Sequence, residues 1–375
     1  MDTSLHNEHH DHSLEKPNKY IVLVILVLAV VGILYSFSRP VGNDVVSGVV
    51  KEIVSEKETT IAVSGKDRMV KEQKLLVEIT TENVKKVVEV LNDYKPIGEG
   101  DKIFIRGSLF GDTEFSIVDI SRTNKLLLLA IFFIVLVVVT SGAKGFYSLV
   151  GLLFSFAVIF VFMVPKILDG AEPVSIGIFG AAMILVPTLY LSYGLNRKSI
   201  ATFLGIIISL FFVGLVANYF VGILQFTGLG EISMFLDMET SKTINLVGLL
   251  TAGIIIAAVG VLDDVAAIQS SVVFSLAGAN PNLRGLKLFK EAMHVGRDHI
   301  SAVVNTLVLA YTGASLPLVL LLSTRGMPID YFVSIEMVAE EIARTLISSS
   351  GLLLAVPLTT VVATIMANKI INIEK

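Results

Sequence analysis

The sequence predicts an α-helical polytopic membrane protein of about eight transmembrane helices, with a small β-rich, OB-like extracytoplasmic domain between helices 1 and 2. Three observations carry that expectation. First, the 375 residues are 54% hydrophobic and only 17% charged, with a mean hydropathy of +0.78, far from the roughly one-quarter charged composition of soluble domains. Second, the apolar residues come in uninterrupted blocks long enough to cross about 30 Å of hydrocarbon. Third, residues 38–124 interrupt those blocks with short alternating runs. A soluble protein is excluded. The formal net charge of -4 supplies no basic field for nucleic acid, so no nucleic-acid partner is expected. The absence of cysteine excludes disulfides, thiolate metal sites and cysteine nucleophiles.

Residues 1–19 form a polar tail carrying His6, His9, His10, Asp11 and His12. A flexible tail lacks the preorganised geometry of a metal site, so no metal is expected there. Lys16 and Lys19 precede an apolar run from Tyr20 to Tyr35, and residues 20–37 read as a transmembrane anchor. A cleaved signal peptide competes with this reading, but the run exceeds the usual core of about 7 to 15 residues and no small-x-small site follows. Seven further spans are predicted at about 125–141, 146–166, 174–193, 200–224, 246–262, 301–322 and 347–367, making 125–375 a seven-helix transmembrane domain. Prolines 165, 187, 317 and 357 lie within or beside four of them, where they permit kinks.

Basic residues in short loops orient the spans. With the N-terminus cytoplasmic, that side holds Lys16, Lys19, Lys144, Arg197, Lys198, Arg284, Lys287, Lys290, Arg297, Lys369 and Lys375. The other short loops hold only Lys166, Lys242, Arg325 and Arg344. Both termini are therefore expected inside, and residues 38–124 outside.

Within 38–124, runs rich in β-branched residues occur at 47–54, 60–63, 74–79, 101–107 and 115–120, separated by Gly, Asp and Lys turns. Between the third and fourth, Val84, Val87, Val88 and Leu91 have helical spacing, which predicts a helix over 83–94. Five strands and one helix suit a small OB-like barrel. The strands lack the interleaved exposed aromatics needed to stack bases, so a scaffold or protein-contact module is the plainer reading.

Candidate functional residues are the polar groups beside the spans. Asp263 and Asp264 end the sixth predicted span, and an apolar stretch resumes through Gln269, Ser270, Ser271 and Ser275 to Gly278. An Asp at the centre of a bilayer helix costs about 2.5 to 3.5 kcal/mol on insertion scales, which places the pair at the interface or in a wet cavity. Residues 265–279 then form an interfacial or a re-entrant half-helix. The seventh span carries His294, Asp298, Ser301, Asn305 and Thr312 on one face, with Arg297 and His299 alongside. That stripe either lines a path for an ion, proton or polar solute or hydrogen-bonds between helices as glue. Glu341 and Arg344, three apart before the last span, are spaced to pair.

The runs Gly260-Val261-Leu262-Asp263-Asp264-Val265-Ala266, Asn280-Pro281, Gly296-Arg297-Asp298-His299-Ile300, Asn305 through Pro317, Glu341 through Leu346 and Val356-Pro357-Leu358-Thr359-Thr360 together resemble the YibE/F family of bacterial multi-pass membrane proteins. The resemblance implies a first anchor, an extracytoplasmic β-rich segment, a helical bundle and residence in the bacterial cytoplasmic (plasma) membrane. It implies no activity. Asp264, Arg297, Asp298, Asn305, Glu341 and Arg344 match the family's polar motif positions, and Gln269 resembles members carrying Gly-Val-Leu-Asp-Asp.

No phosphate-binding loop, nucleophile elbow or zinc-protease helix is present in the sequence. The expectation is a non-enzyme without catalytic residues or cofactors. It is either a secondary transporter or permease for an ion or small polar solute, or a non-transporting envelope assembly protein whose segment 38–124 binds a protein partner. The expected partners are the lipid bilayer, that protein and that solute.

Overall fold

The computed structural model describes residues 17–37, 45–63, 66–81, 84–93, 95–106, 115–229, 244–323, 326 and 328–373. The histidine-rich cluster at 6–12 lies outside them. The chain forms two compact units, one of Phe37–Gly142 and one of Met1–Ser36 with Ala143–Lys375.

The first unit holds five strands in a closed barrel: β1 (Val45–Val63), β2 (Lys66–Thr81), β3 (Val84–Asn92), β4 (Lys102–Arg106) and β5 (Phe115–Ile120). The order around the barrel is β1-β2-β3-β5-β4. All neighbours are antiparallel except β3 and β5, which pair in parallel through Val90 with Phe115 and Leu91 with Ser116. β1 closes the barrel because its first residues pair on both edges, Gly48 meeting Ile79 of β2 and Ile103 of β4. The core is Val50, Leu75, Val77, Ile79, Val88, Val90, Ile97, Ile103 and Ile105.

The helix predicted over 83–94 is strand β3. Val84, Val87, Val88 and Leu91 satisfy a helical period, yet Val88, Val90 and Asn92 are buried while Val87, Glu89 and Leu91 are exposed. A period of two wins because the valines find a complete strand partner in β2, from Thr81 opposite Val84 to Gln73 opposite Asn92. The runs at 47–54 and 60–63 also merge into one 19-residue strand.

The second unit is helical. α1 (Lys19–Phe37) packs Val22 and Ile25 against Val150 and Leu191. α2 (Thr123–Ala157) holds the span predicted at 125–141 and the start of the one predicted at 146–166, separated as expected by a non-helical backbone at Gly142 (φ 59°, which favours glycine), where the first unit ends and the second resumes. A π-helical turn at Val158–Met163 and α3 (Val164–Leu168) complete that stretch. Then come α4 (Pro173–Tyr193), α5 (Arg197–Ile223), α6 (Leu246–Ala279), α7 (Gly285–Ala314), α8 (Leu316–Ser323), α9 (Ile329–Ser334) and α10 (Glu336–Ile373). Among the described residues, five helical stretches are long and apolar enough to cross a membrane: 123–168, α4, α5, α6 and residues 336–368 of α10. α1 is a shorter apolar helix. The molecule is a membrane protein.

Two predicted boundaries are corrected. The sixth span does not end at Asp263, and 265–279 is not a separate half-helix: α6 runs unbroken for 34 residues, about 51 Å of helix. Alanines, leucines and valines on both sides of the Asp pair bury one continuous face, so the helix gains nothing by stopping. The seventh span, expected over 301–322, instead breaks at Ser315 (φ -91°, ψ 6°), just before Pro317, and α7 begins sixteen residues earlier, at Gly285.

α5, α6 and α10 form the centre, and small residues let them approach. A side chain at Gly205 would collide with Thr359, and one at Gly351 would collide with Val213 and touch Leu262. These contacts make α5 antiparallel to α10. Leu262 beside Gly351, and Gln269 bonded to Thr360, make α6 parallel to α10. Gly296 brings α7 against Gln269 and Val356.

Candidate functional site

Asp263 and Asp264 lie at the middle of α6. Leu262 shares its height with Gly351 and Val213, and Val213 is near the midpoint of α5. The pair therefore sits near the mid-height of the bundle instead of at an end of a span. Asp263 is half-buried, and its Oδ1 is buried without a hydrogen-bond partner among the described residues. Asp264 is exposed. Gly260, Asp264, Ser271 and Ser275, which share one side of α6 at 100° per residue, turn away from the core, and the last two face a cavity of about 420 Å³ with Tyr193, Ile268 and Val295.

Two turns beyond Asp263, Gln269 is 1% exposed. Its Nε2 donates to the Ala292 carbonyl (3.1 Å) and to Thr360 Oγ1 (2.7 Å), tying α6 to α7 and α10. Ser270 donates to the Lys198 carbonyl (3.0 Å). Most hydroxyls in the bundle bond the carbonyl one turn back, as Ser209 does to Gly205 (2.7 Å) and Thr360 does to Val356 (2.6 Å). Four do not. Ser348, Ser349, Thr359 and Thr364 of α10 are buried with no hydrogen-bond partner among the described residues, and Glu340 has a buried, unpartnered Oε1.

Glu341 and Arg344 pair as their spacing predicted, at 3.0 Å. Glu341 also lines a cavity of about 280 Å³ with Tyr311, Thr312, Ser315 and Thr345. Val295 at the first cavity and Tyr311 at the second are sixteen residues apart on α7, about 24 Å along its axis. The hydroxyls at Ser348, Ser349 and Thr359 fall between these heights on α10.

Apart from Thr312, which lines the second cavity, the stripe of α7 faces outward. His294, Asp298, Ser301, Asn305 and Thr312 are all exposed, as is Arg297. The face turned inward carries Leu288, Ala292, Gly296, Ile300, Val303 and Leu307. Among the described residues, His294, Asp298, Ser301 and Asn305 therefore lie on the outer side of α7 and are not enclosed by neighbouring helices. No three His, Asp or Glu side chains among the described residues converge as metal ligands.

A model of YibE/F-like proteins matches residues 129–369. The chain belongs to the YibE/F-like family. No curated protein and no solved structure matches it. The family match spans every intramembrane polar group described above and leaves the five-stranded barrel outside, so what is shared by YibE/F-like proteins over this region is the helical unit.

Sequence reasoning singled out Asp263 and Gln269 but gave no role to Thr359, Thr360, Thr364 or Tyr193. Thr359 and Thr360 stood in a motif, and Thr364 lies one turn beyond Thr360 on α10. Their partners could not be read from α10 alone, because Gln269 and Gly205 come from 90 and more residues away.

Proposed function

We propose that this YibE/F-like protein is a permease of the bacterial cytoplasmic membrane for an ion or small polar solute, with both termini cytoplasmic and the barrel, read as OB-like, outside. One observation carries the reading: along α10, buried hydroxyls without partners among the described residues lie between the heights of two open cavities on the flanks of an otherwise apolar bundle. A buried polar group left unpaired costs about 1–3 kcal/mol. Four such hydroxyls along one helix fit a seam that is satisfied when water or a solute passes. Asp263, with one buried oxygen near the middle of α6, is the acidic group we assign to that passage. Glu340 and Glu341 stand at its other end.

The test is flux in vesicles reconstituted with the full-length protein, across a panel of monovalent ions and small polar solutes. The wild type is expected to move at least one of them. Asp263→Asn and Thr359→Val are expected to slow that flux at least tenfold while leaving insertion and thermal unfolding unchanged. Absence of flux for the whole panel, or normal flux in both variants, overturns the reading. It would favour the second function, a membrane-anchored assembly protein, which predicts that deleting 45–120 abolishes every crosslinked partner.

A further inference from the structure

The outward face of α7 poses a physical problem that the chain by itself does not solve. Gly296 of α7 is level with Val356 of α10, and Thr312 of α7 shares a cavity with Thr345. The two helices are antiparallel, and interpolation between those contacts places Asn305 level with the segment around Gly351 and Val213. That height is near the middle of α5, itself a helix long and apolar enough to cross a membrane. Asn305 is nevertheless exposed, and its side chain makes no hydrogen bond among the described residues. Stepping from it at 100° per residue, His294, Asp298, Ser301, Leu309 and Thr312 fall within about 40° of the same direction. Arg297 and Asp298 are likewise exposed and form no ion pair among the described residues.

A polar row at this height does not face lipid tails without cost; it faces protein or water. The apolar half of α2, Leu126 to Val139, cannot satisfy it, because it contains no polar side chain. A second copy of the same helix can. In a parallel two-fold arrangement each residue meets its own counterpart at the same height. Asn305 then meets Asn305, each amide able to donate and accept, and Ser301 meets Ser301. The adjacent Arg297 and Asp298 are oppositely charged, so two-fold symmetry sets each guanidinium against the other copy's carboxylate. The face is self-complementary in hydrogen bonding and in charge.

We propose that the protein is a dimer in the membrane, assembled through the α7 face marked by Asp298, Ser301, Asn305 and Thr312. The proposal does not depend on transport. Because the chain contains no cysteine, one introduced cysteine reports a single contact. Full-length Asn305→Cys, Ser301→Cys and Thr312→Cys, oxidised in native membranes, are expected to give a disulfide-linked dimer. Phe179→Cys and Phe211→Cys, on exposed faces of α4 and α5, are expected to remain monomeric. Native mass measurement of the wild type is expected to give twice the chain mass, and Asn305→Leu to shift the population toward monomer. The proposal is overturned if the three stripe positions do not crosslink, if the control positions crosslink equally, or if the wild type has the mass of one chain. An intrachain partner for the stripe would give the last result.

Discussion

The barrel and the bundle treat buried polar groups in opposite ways. In the barrel, Gln73 and Asn92 are 2% and 0% exposed. Gln73 Oε1 accepts from the Ile97 amide (2.9 Å) and from Asn92 Nδ2 (2.8 Å), while its Nε2 donates to the Ile97 carbonyl (3.2 Å). Asn92 Nδ2 also donates to the Lys95 carbonyl (2.6 Å). The two amides thus pin the connection after β3 over the end of the barrel. In the bundle, Ser348, Ser349, Thr359 and Thr364 are as deeply buried and have no partner among the described residues. Satisfied networks specify one fold; unsatisfied ones invite a ligand. The contrast assigns structure to the first set and, under the permease proposal, passage to the second.

The largest test of this contrast is Gln73→Leu. It strands the Ile97 amide and carbonyl together with the Asn92 side chain, and should destabilise the barrel by about 3 kcal/mol or more. Hydrogen exchange on the full-length protein should show faster exchange in β2 and β3 and no change in α10. If α10 is affected equally, the two units are not independent in stability.

Gly205→Val comes next. It forces a side chain into Thr359, with no room for α5 or α10 to yield, and overpacking of this kind costs about 1–3 kcal/mol. Thermal unfolding of the bundle should shift down, and barrel exchange should not.

Thr359→Val has a smaller effect of opposite sign. It removes an unpartnered buried hydroxyl at nearly constant volume, so stability should stay equal or rise by up to about 1 kcal/mol. A loss of several kcal/mol would mean that Thr359 is bonded, and the contrast with Gln73 would fail.

The smallest effect belongs to Glu172, which caps α4 and accepts from the Val174 and Ser175 amides (3.1 and 2.7 Å). Burial pushes its carboxyl up, but the amide hydrogen bonds win and hold it below the usual carboxylate value of 4.5. With the folded pKa depressed, its stabilisation is present above that ordinary value and is lost as pH falls through the lower, folded one. Glu172→Ala should cost about 1 kcal/mol at neutral pH and nothing in acid. An unfolding series from pH 7 to pH 3 checks the convergence.

How far the sequence could be read depended on whether a signal was local. The apolar blocks, the anchor and the Glu341–Arg344 pair were legible because composition and a spacing of three need no distant information. Strand β3 was misread because four residues fit both periods, and only pairing with β2 decided between them. The α7 stripe was legible as a stripe, yet its direction was not, since the choice between inward and outward depends on which face offers Ala292 and Gly296 to α6 and α10.

The sequence by itself determined that the chain lives in a membrane, where its apolar blocks begin, and that a β-rich segment interrupts them, because transfer free energy is a sum over local residues. Only the tertiary structure decided that Asp263 lies near the mid-height of the bundle, that the α10 hydroxyls go unpaired and that Asn305 faces outward. Those facts are relations between helices far apart in the chain, fixed by which small residues allow close approach, and no local sum contains them.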